Sequence, residues 1–421
     1  MQKARSLSVC LLAVSLMVPF FTSCNTTEET RFECTDSLGC VDIGYQDPLK
    51  IGVLQALSGD IAPLGQAQIR GLELALDKRQ ERIVGHPVEL QIEDTGCTAE
   101  GGANAVLKLI ADPQTIAIYG TTCSGAAATA SKAMSAAGLT MISGNNSAPF
   151  LTSIGGKAAP DWQPGYFRTA NNEENAGRVA AEYAWHKLGI RTAATMHDND
   201  IYSMGLTESF KRAFEEFGGK VVLSTAVNKG DTEMLPVLQA VLNSNAELLF
   251  FPLFQPEGKQ ILLQARNLSG FERTVLMSDG ALIQQSFLDA VGEAAIGMHF
   301  VGPARPVGPA AETLDMAYHA KYNEYPTVSY YITGYDAANI LFDAIEKVAV
   351  IDKTGGLHIG RQSLRDAMYA TSSHKGISGS LTCNRFGDCG LPAFNVLRLN
   401  DPSLGIKGLE ANIVYSNVLP Q

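Results

Sequence analysis

From Leu49 onward, short apolar runs alternate with amphipathic stretches of helical period, and this rhythm restricts the chain more than any single motif does. Leu49 to Leu54 reads as a strand, and the stretch from about Pro63 to Arg82 then sets Ile69, Leu72 and Leu76 on one helical face. Val88 to Ile92 alternates as a strand, residues 99–112 return to helical spacing, and Ile116 to Tyr119 leads through an Ala-rich helix to a strand at Thr140 to Ser143. Strand, helix and strand joined by short loops give parallel sheets covered by helices, so the expected fold class is α/β.

The rhythm breaks at Trp162 to Pro164, and Gly165 to Thr169 reads as an extended crossing. A second series follows, with helices near 173–188, 203–218, 232–244 and 256–268 and strands near 192–196, 221–225, 248–252 and 275–277. A second break, Gly302 to Pro309, precedes helical patterns at about 310–323 and 329–349. Short strands are expected around Leu381, Ala393 to Leu397 and Gly408 to Val414. With 421 residues, 46% of them hydrophobic, the chain has material for a large core without staples.

Lys3 and Arg5 precede an apolar run from Leu7 to Phe21, the pattern of an export signal over residues 1–23. The run ends in Phe21-Thr-Ser-Cys24, which resembles a bacterial lipobox with Phe21 in the usual Leu position; Cys24 is the expected lipidation site, against ordinary cleavage or an uncleaved anchor. Residues 24–47 read as a lipid-anchored tether carrying a small disulfide loop, and the protein is expected on the extracytoplasmic side, touching membrane through the anchor alone. Loss of Lys3 and Arg5 moves the formal charge of -11 down by two, to about -13. Such a body has no electrostatic reason to bind nucleic acid or anionic lipid.

Eight cysteines become six once Cys10 and Cys24 are set aside, an even number in an exported chain. Proximity favours Cys34 with Cys40 and Cys383 with Cys389, leaving Cys97 with Cys123, although six cysteines allow about 15 pairings. Zinc is the rival reading, but no pair has C-x2-C spacing or a neighbouring histidine pair. No metal or cofactor is expected.

Two turns stand at the carboxyl ends of expected parallel strands, where open α/β sheets bind ligands: Gly120 to Gly125, and Gly144 to Pro149. The first also opens a helix, and a helix N-terminus favours an anion such as a carboxylate.

Several stretches carry a wider likeness: Ile51 to Gly59; Cys97 with Cys123-Ser124; Met141 to Ser143 with Ser147 to Pro149; His197-Asp198 followed by Tyr202; and Phe251 through Pro256-Glu257 to Arg266. From about Pro48 to Val414 the chain resembles the type I periplasmic substrate-binding proteins of branched-chain amino-acid ABC transporters, the leucine-binding family. The resemblance implies two Rossmann-like lobes joined by three hinge crossovers, the third near Phe394, and a ligand held between them. The lobes would be residues 48–169 plus 301–393 and residues 170–300 plus 394–421. It also matches Cys97 and Cys123 to the family's disulfide.

The function implied is capture of a small amino acid, branched-chain or otherwise aliphatic, by a monomer that delivers it to an ABC permease. A buried zwitterion needs donors for its carboxylate and an anion or carbonyls for its ammonium. By resemblance, Ser124 and Ser147 take the carboxylate, and the Asn145 carbonyl meets the ammonium. Tyr202 covers the ligand from the facing lobe, and Phe254 replaces a second tyrosine. Leu64 stands where aromatics are common. Asp279 is the expected acidic partner, with Glu173 as the second candidate; without either, short amides or urea become the better ligands. Ser124 read alone is a helix N-cap, and Tyr202 an ordinary core tyrosine.

Catalysis is not expected. Cys123-Ser124 occupies a strand-to-helix turn, but Thr122 breaks the G-x-S-x-G pattern, and the histidines lack paired-ligand spacing. The alternative outside transport is a sensing module that reports ligand to a separate signalling partner.

Overall fold

The computed structural model describes residues 32–417, so the signal segment and Cys24 lie outside the described residues. Two sheets dominate. The six-stranded one has the spatial order Arg82–Ile83, His86–Asp94, Leu49–Gln55, Thr115–Gly120, Thr140–Ser143, Tyr166–Arg168, parallel throughout except for the first pair. The seven-stranded one runs Lys220–Ala226, Thr192–His197, Leu248–Phe250, Val275–Asp279, His299–Pro303, Phe394–Arg398, Ile413–Ser416, and only its last two pairings are antiparallel, because Phe394–Arg398 runs against all the others. The inner strand Thr115–Gly120 is buried at every position, as a parallel strand covered on both faces must be.

The chain passes between the two sheets three times. It leaves the first after Arg168, and helix Glu174–His186 packs on helix Ile201–Glu216 beside the second sheet. It returns after Pro303, and helix Tyr330–Val348 lies along helix Ala62–Asp77 of the first unit. It crosses again before Phe394. Type I periplasmic-binding architecture is therefore present, as two α/β lobes with parallel-rich sheets.

Local differences have local causes. The helix expected to reach Arg82 stops at Asp77, because Gln80 and Glu81 adopt left-handed backbone and turn the chain into a hairpin. Where Gly408 to Val414 reads as a strand, the structure has helix Gly405–Ala411 followed by strand Ile413–Ser416. Ile406 and Leu409, three apart, are the buried pair there, and the Ile406 N–H donates to the Gln285 side chain. Helices Gln285–Val291 and Arg361–Tyr369 were not signalled by the pattern. Strand Cys40–Ile43 buries Val41 and Ile43 and pairs with Leu357–Gly360, so this part of the expected tether belongs to the folded body. All three disulfides form: Cys34–Cys40, Cys97–Cys123 and Cys383–Cys389.

Candidate ligand site

The two strand-end turns are tied into one unit by buried hydroxyls. The Ser143 hydroxyl donates to the Thr121 carbonyl at 2.8 Å and accepts the N–H groups of Asn145 and Asn146 at 3.0 Å. The Asn146 side chain in turn accepts the Thr121 N–H at 3.1 Å. Helix Ser124–Ala136 begins on this platform with Cys123 at its N-cap, and no side chain caps its first N–H groups. Ser124 is the first helical residue and not the cap. Its oxygen accepts the Ala148 N–H at 3.2 Å, which leaves the hydroxyl proton to donate elsewhere.

The facing half comes from the second sheet. Asp200 caps helix Ile201–Glu216 by accepting the Tyr202 N–H at 3.0 Å. Tyr202 then stacks on Phe254, with ring centroids 5.0 Å apart and planes inclined by 20°. A Cβ on Gly125 would lie 2.5 Å from an Asp200 carboxylate oxygen, so glycine is what lets the two helix starts approach. Tyr202 donates to Asp279, the last residue of its strand, and Asp279 also accepts the Ala281 N–H at 3.2 Å. Glu173 stands just after the first crossing and accepts the Ser147 hydroxyl at 2.6 Å, while its own N–H donates to the Ser147 carbonyl at 3.0 Å.

Leu64, Ser124, Asn145, Ser147, Tyr202 and Phe254 thus line one narrow cleft, together with Thr122, Ala281 and Tyr330. About 10 Å³ is free, roughly room for one water, so a larger guest requires the halves to part. Asp279 and Glu173 sit behind this lining at 0% and 3% exposure. Tyr330 was not found by sequence reasoning, since a tyrosine opening an amphipathic helix looks like core; the chain topology alone brings it here.

Electrostatically the cleft is acidic and unbalanced. Burial raises the Asp279 carboxyl to about 7, against the hydrogen bond from Tyr202. Burial, and then the neighbouring Asp279 charge, hold Glu173 well above the carboxylate range. The phenols of Tyr202 and Tyr330 are pushed up by burial and by these same carboxylates. The nearest cation acting on Glu173 is Arg168, whose guanidinium is committed to Asp388 at 2.7 Å and the Ala148 carbonyl at 2.7 Å. An unpaired buried anion is costly, which is why both carboxyls hold their protons to higher pH than free ones do.

Ser147 makes a finer point. Its hydroxyl donates to Glu173, so the same proton does not serve a ligand carboxylate at that moment. Cys123 is held in its disulfide, which removes it as a nucleophile. The His197 ring accepts the Asn199 N–H at 3.2 Å at a strand end. Among the described residues no cluster of His, Cys, Asp and Glu is arranged to hold a metal.

Two lobes with a polar cleft between strand ends define the class: a solute-binding protein. The chain belongs to the periplasmic binding protein family, whose model matches residues 48–386. Among its relatives, a Leu/Ile/Val-binding protein homolog of Brucella melitensis is 25% identical over 377 residues, spanning 89% of this chain and 96% of the relative. A leucine-, isoleucine-, valine-, threonine- and alanine-binding protein of Pseudomonas aeruginosa is 25% identical over 73% of this chain and 80% of its own. In fold, the chain is similar to the leucine-binding protein LivK of Thermotoga maritima, with TM-score 0.74 and 24% identity over 84% of this chain and 96% of that one. A solute-binding protein of R. palustris in complex with benzoate is also similar, with TM-score 0.72 and 22% identity over 88% of this chain and 98% of that one.

Proposed function

We propose that the protein captures a small aliphatic α-amino acid in this cleft and hands it to an ABC permease. One observation carries the reading: two buried carboxylates with no protein cation in contact stand directly behind the lining of a small cleft that also holds a free serine proton, on a helix whose N-terminus no side chain caps. That is the charge pattern of a zwitterion turned inside out. The ligand carboxylate meets Ser124 and the uncapped N–H groups, and its ammonium meets Asp279 and Glu173. Asn145 and Ser147 form the wall between these poles, with the Ser147 hydroxyl steadying Glu173. Tyr202 covers the ligand from the facing half, while Phe254 and Leu64 supply an apolar wall for its side chain. The names of the relatives support amino acids as the class.

Export and lipidation at Cys24 remain part of the proposal, as do action as a monomer and the lack of catalytic function. Among the described residues no helix is long and apolar enough to cross a membrane. The test is calorimetry on the soluble body with alanine, valine, leucine and isoleucine, plus acetamide, urea and benzoate. Binding of at least one amino acid and none of the others is expected. Binding of benzoate, or of amides alone, would overturn the assignment.

A further inference from the structure

A second concavity lies beyond Tyr330, away from the lining serines. It has about 380 Å³ of free volume and is formed where the segment from Pro303 to Tyr330 meets strands Phe394–Arg398 and Ile413–Ser416 and helix Gly405–Ala411. Its walls are mainly apolar, and Val307, Tyr325 and Ile413 at its edge are 90%, 58% and 49% exposed. Exposed apolar residues scattered singly are ordinary; several around one hollow mark a binding surface.

Two features define the guest. The charged groups in the hollow already answer one another: Arg305 pairs with Asp315 at 2.9 Å and Glu410 at 3.3 Å, and the Lys407 ammonium sits 4.2 Å from the centre of the Tyr325 ring. Two cations and two carboxylates leave no net charge to attract an ion. Against this balance, Asn395 is 8% exposed, lines the hollow, and its buried side-chain oxygen has no hydrogen-bond partner. A buried amide oxygen without a partner costs free energy that a ligand donor can return.

We infer that this hollow is a second small-molecule site, taking an uncharged compound with an apolar body and a hydroxyl or amide end that pairs with Asn395. A mainly apolar cavity with a few convergent polar groups is the usual form of such sites. The site stands independently of the amino-acid assignment, because its walls share only Tyr330 with the cleft.

The test is ligand-observed NMR titration of the purified protein with benzyl alcohol, toluene and benzoate, against Asn395→Leu, Ala411→Trp and Phe254→Ala. Ala411 lies at the exposed edge of the hollow, so its replacement plugs the mouth without entering the core. Benzyl alcohol should bind at least five-fold more tightly than toluene, and benzoate should not bind. Asn395→Leu should erase the preference, Ala411→Trp should weaken both neutral probes at least ten-fold, and Phe254→Ala should change neither. Absence of benzyl alcohol binding, unchanged binding in Ala411→Trp, or loss in Phe254→Ala would overturn the proposal.

Discussion

Tyr202 donates its phenolic hydroxyl to the carboxylate of Asp279, 77 residues further along the chain. In the proposed site the bond would fix the covering ring and the acidic partner as one piece, so that neither has to be ordered when a ligand arrives. Tyr202→Phe should keep the stack on Phe254 but leave Asp279 short of a donor. Ligand affinity should fall roughly ten-fold and stability by about 1–3 kcal/mol, measured by calorimetry and denaturant unfolding. Unchanged affinity would make Tyr202 core packing only.

The raised Asp279 carboxyl has a definite sign. Folded, it titrates at about 7 rather than at its ordinary 3.8, so between those values the folded state holds a proton that the unfolded chain has released. Its stabilising contribution is complete below about pH 4 and is lost as pH rises through about 7, with a slope near 1.4 kcal/mol per pH unit while one proton is in play. Asp279→Asn should flatten the decline in unliganded melting temperature over that window and cost at least about 100-fold in amino-acid affinity, an amount equal to about 2.7 kcal/mol.

Binding an ammonium should also expel protons from the carboxylate pair. Calorimetry near neutral pH in buffers of different ionisation enthalpy should show net proton release, smaller in Glu173→Gln. Release identical in wild type and variant would exclude Glu173 from the ammonium pole.

Ser124→Ala separates two roles that sequence leaves open. Because Cys123 is the N-cap and the Ser124 oxygen accepts only the Ala148 N–H, stability should drop by about 1 kcal/mol, the value of one ordinary hydrogen bond. Affinity should fall ten-fold or more. Equal losses in both would reduce Ser124 to a structural tie.

Joint replacement of Cys97 and Cys123 by alanine opens a loop of 26 residues, for which chain entropy gives roughly 3.5 kcal/mol. The bond ends one residue before Ser124, so affinity should fall along with stability; melting curves with and without ligand would separate the two.

The α/β class was legible because its signal is repetitive: every parallel strand brings its own apolar run and covering helix. Fine boundaries were less so. At Gly405 to Ala411 a short helix is held by the Gln285 side chain, a partner far away in sequence. The cleft divides in the same way. Ser124, Asn145 and Ser147 sit on turns that announce themselves by following strands, and Tyr202 and Phe254 open helices next to strand ends. Tyr330 gave no such sign, and the Ser147–Glu173 bond joins residues on either side of a crossing, a geometry no local pattern encodes.

Arg168 is the last residue of its strand before the first crossing, and Asp388 belongs to the disulfide loop just ahead of the third. Their side chains meet at 2.7 Å, the guanidinium fully buried and the carboxylate partly so. Backbone bonds of 2.9 Å run from Arg168 to Gly387 and from Cys389 to Arg168. Two of the three connecting ribbons are therefore riveted together at their roots. Ribbons joined in this way lose their separate torsional freedom and act as one plate. We infer that any parting of the lobes would then be a swing about a single axis, like a door on its hinge pin.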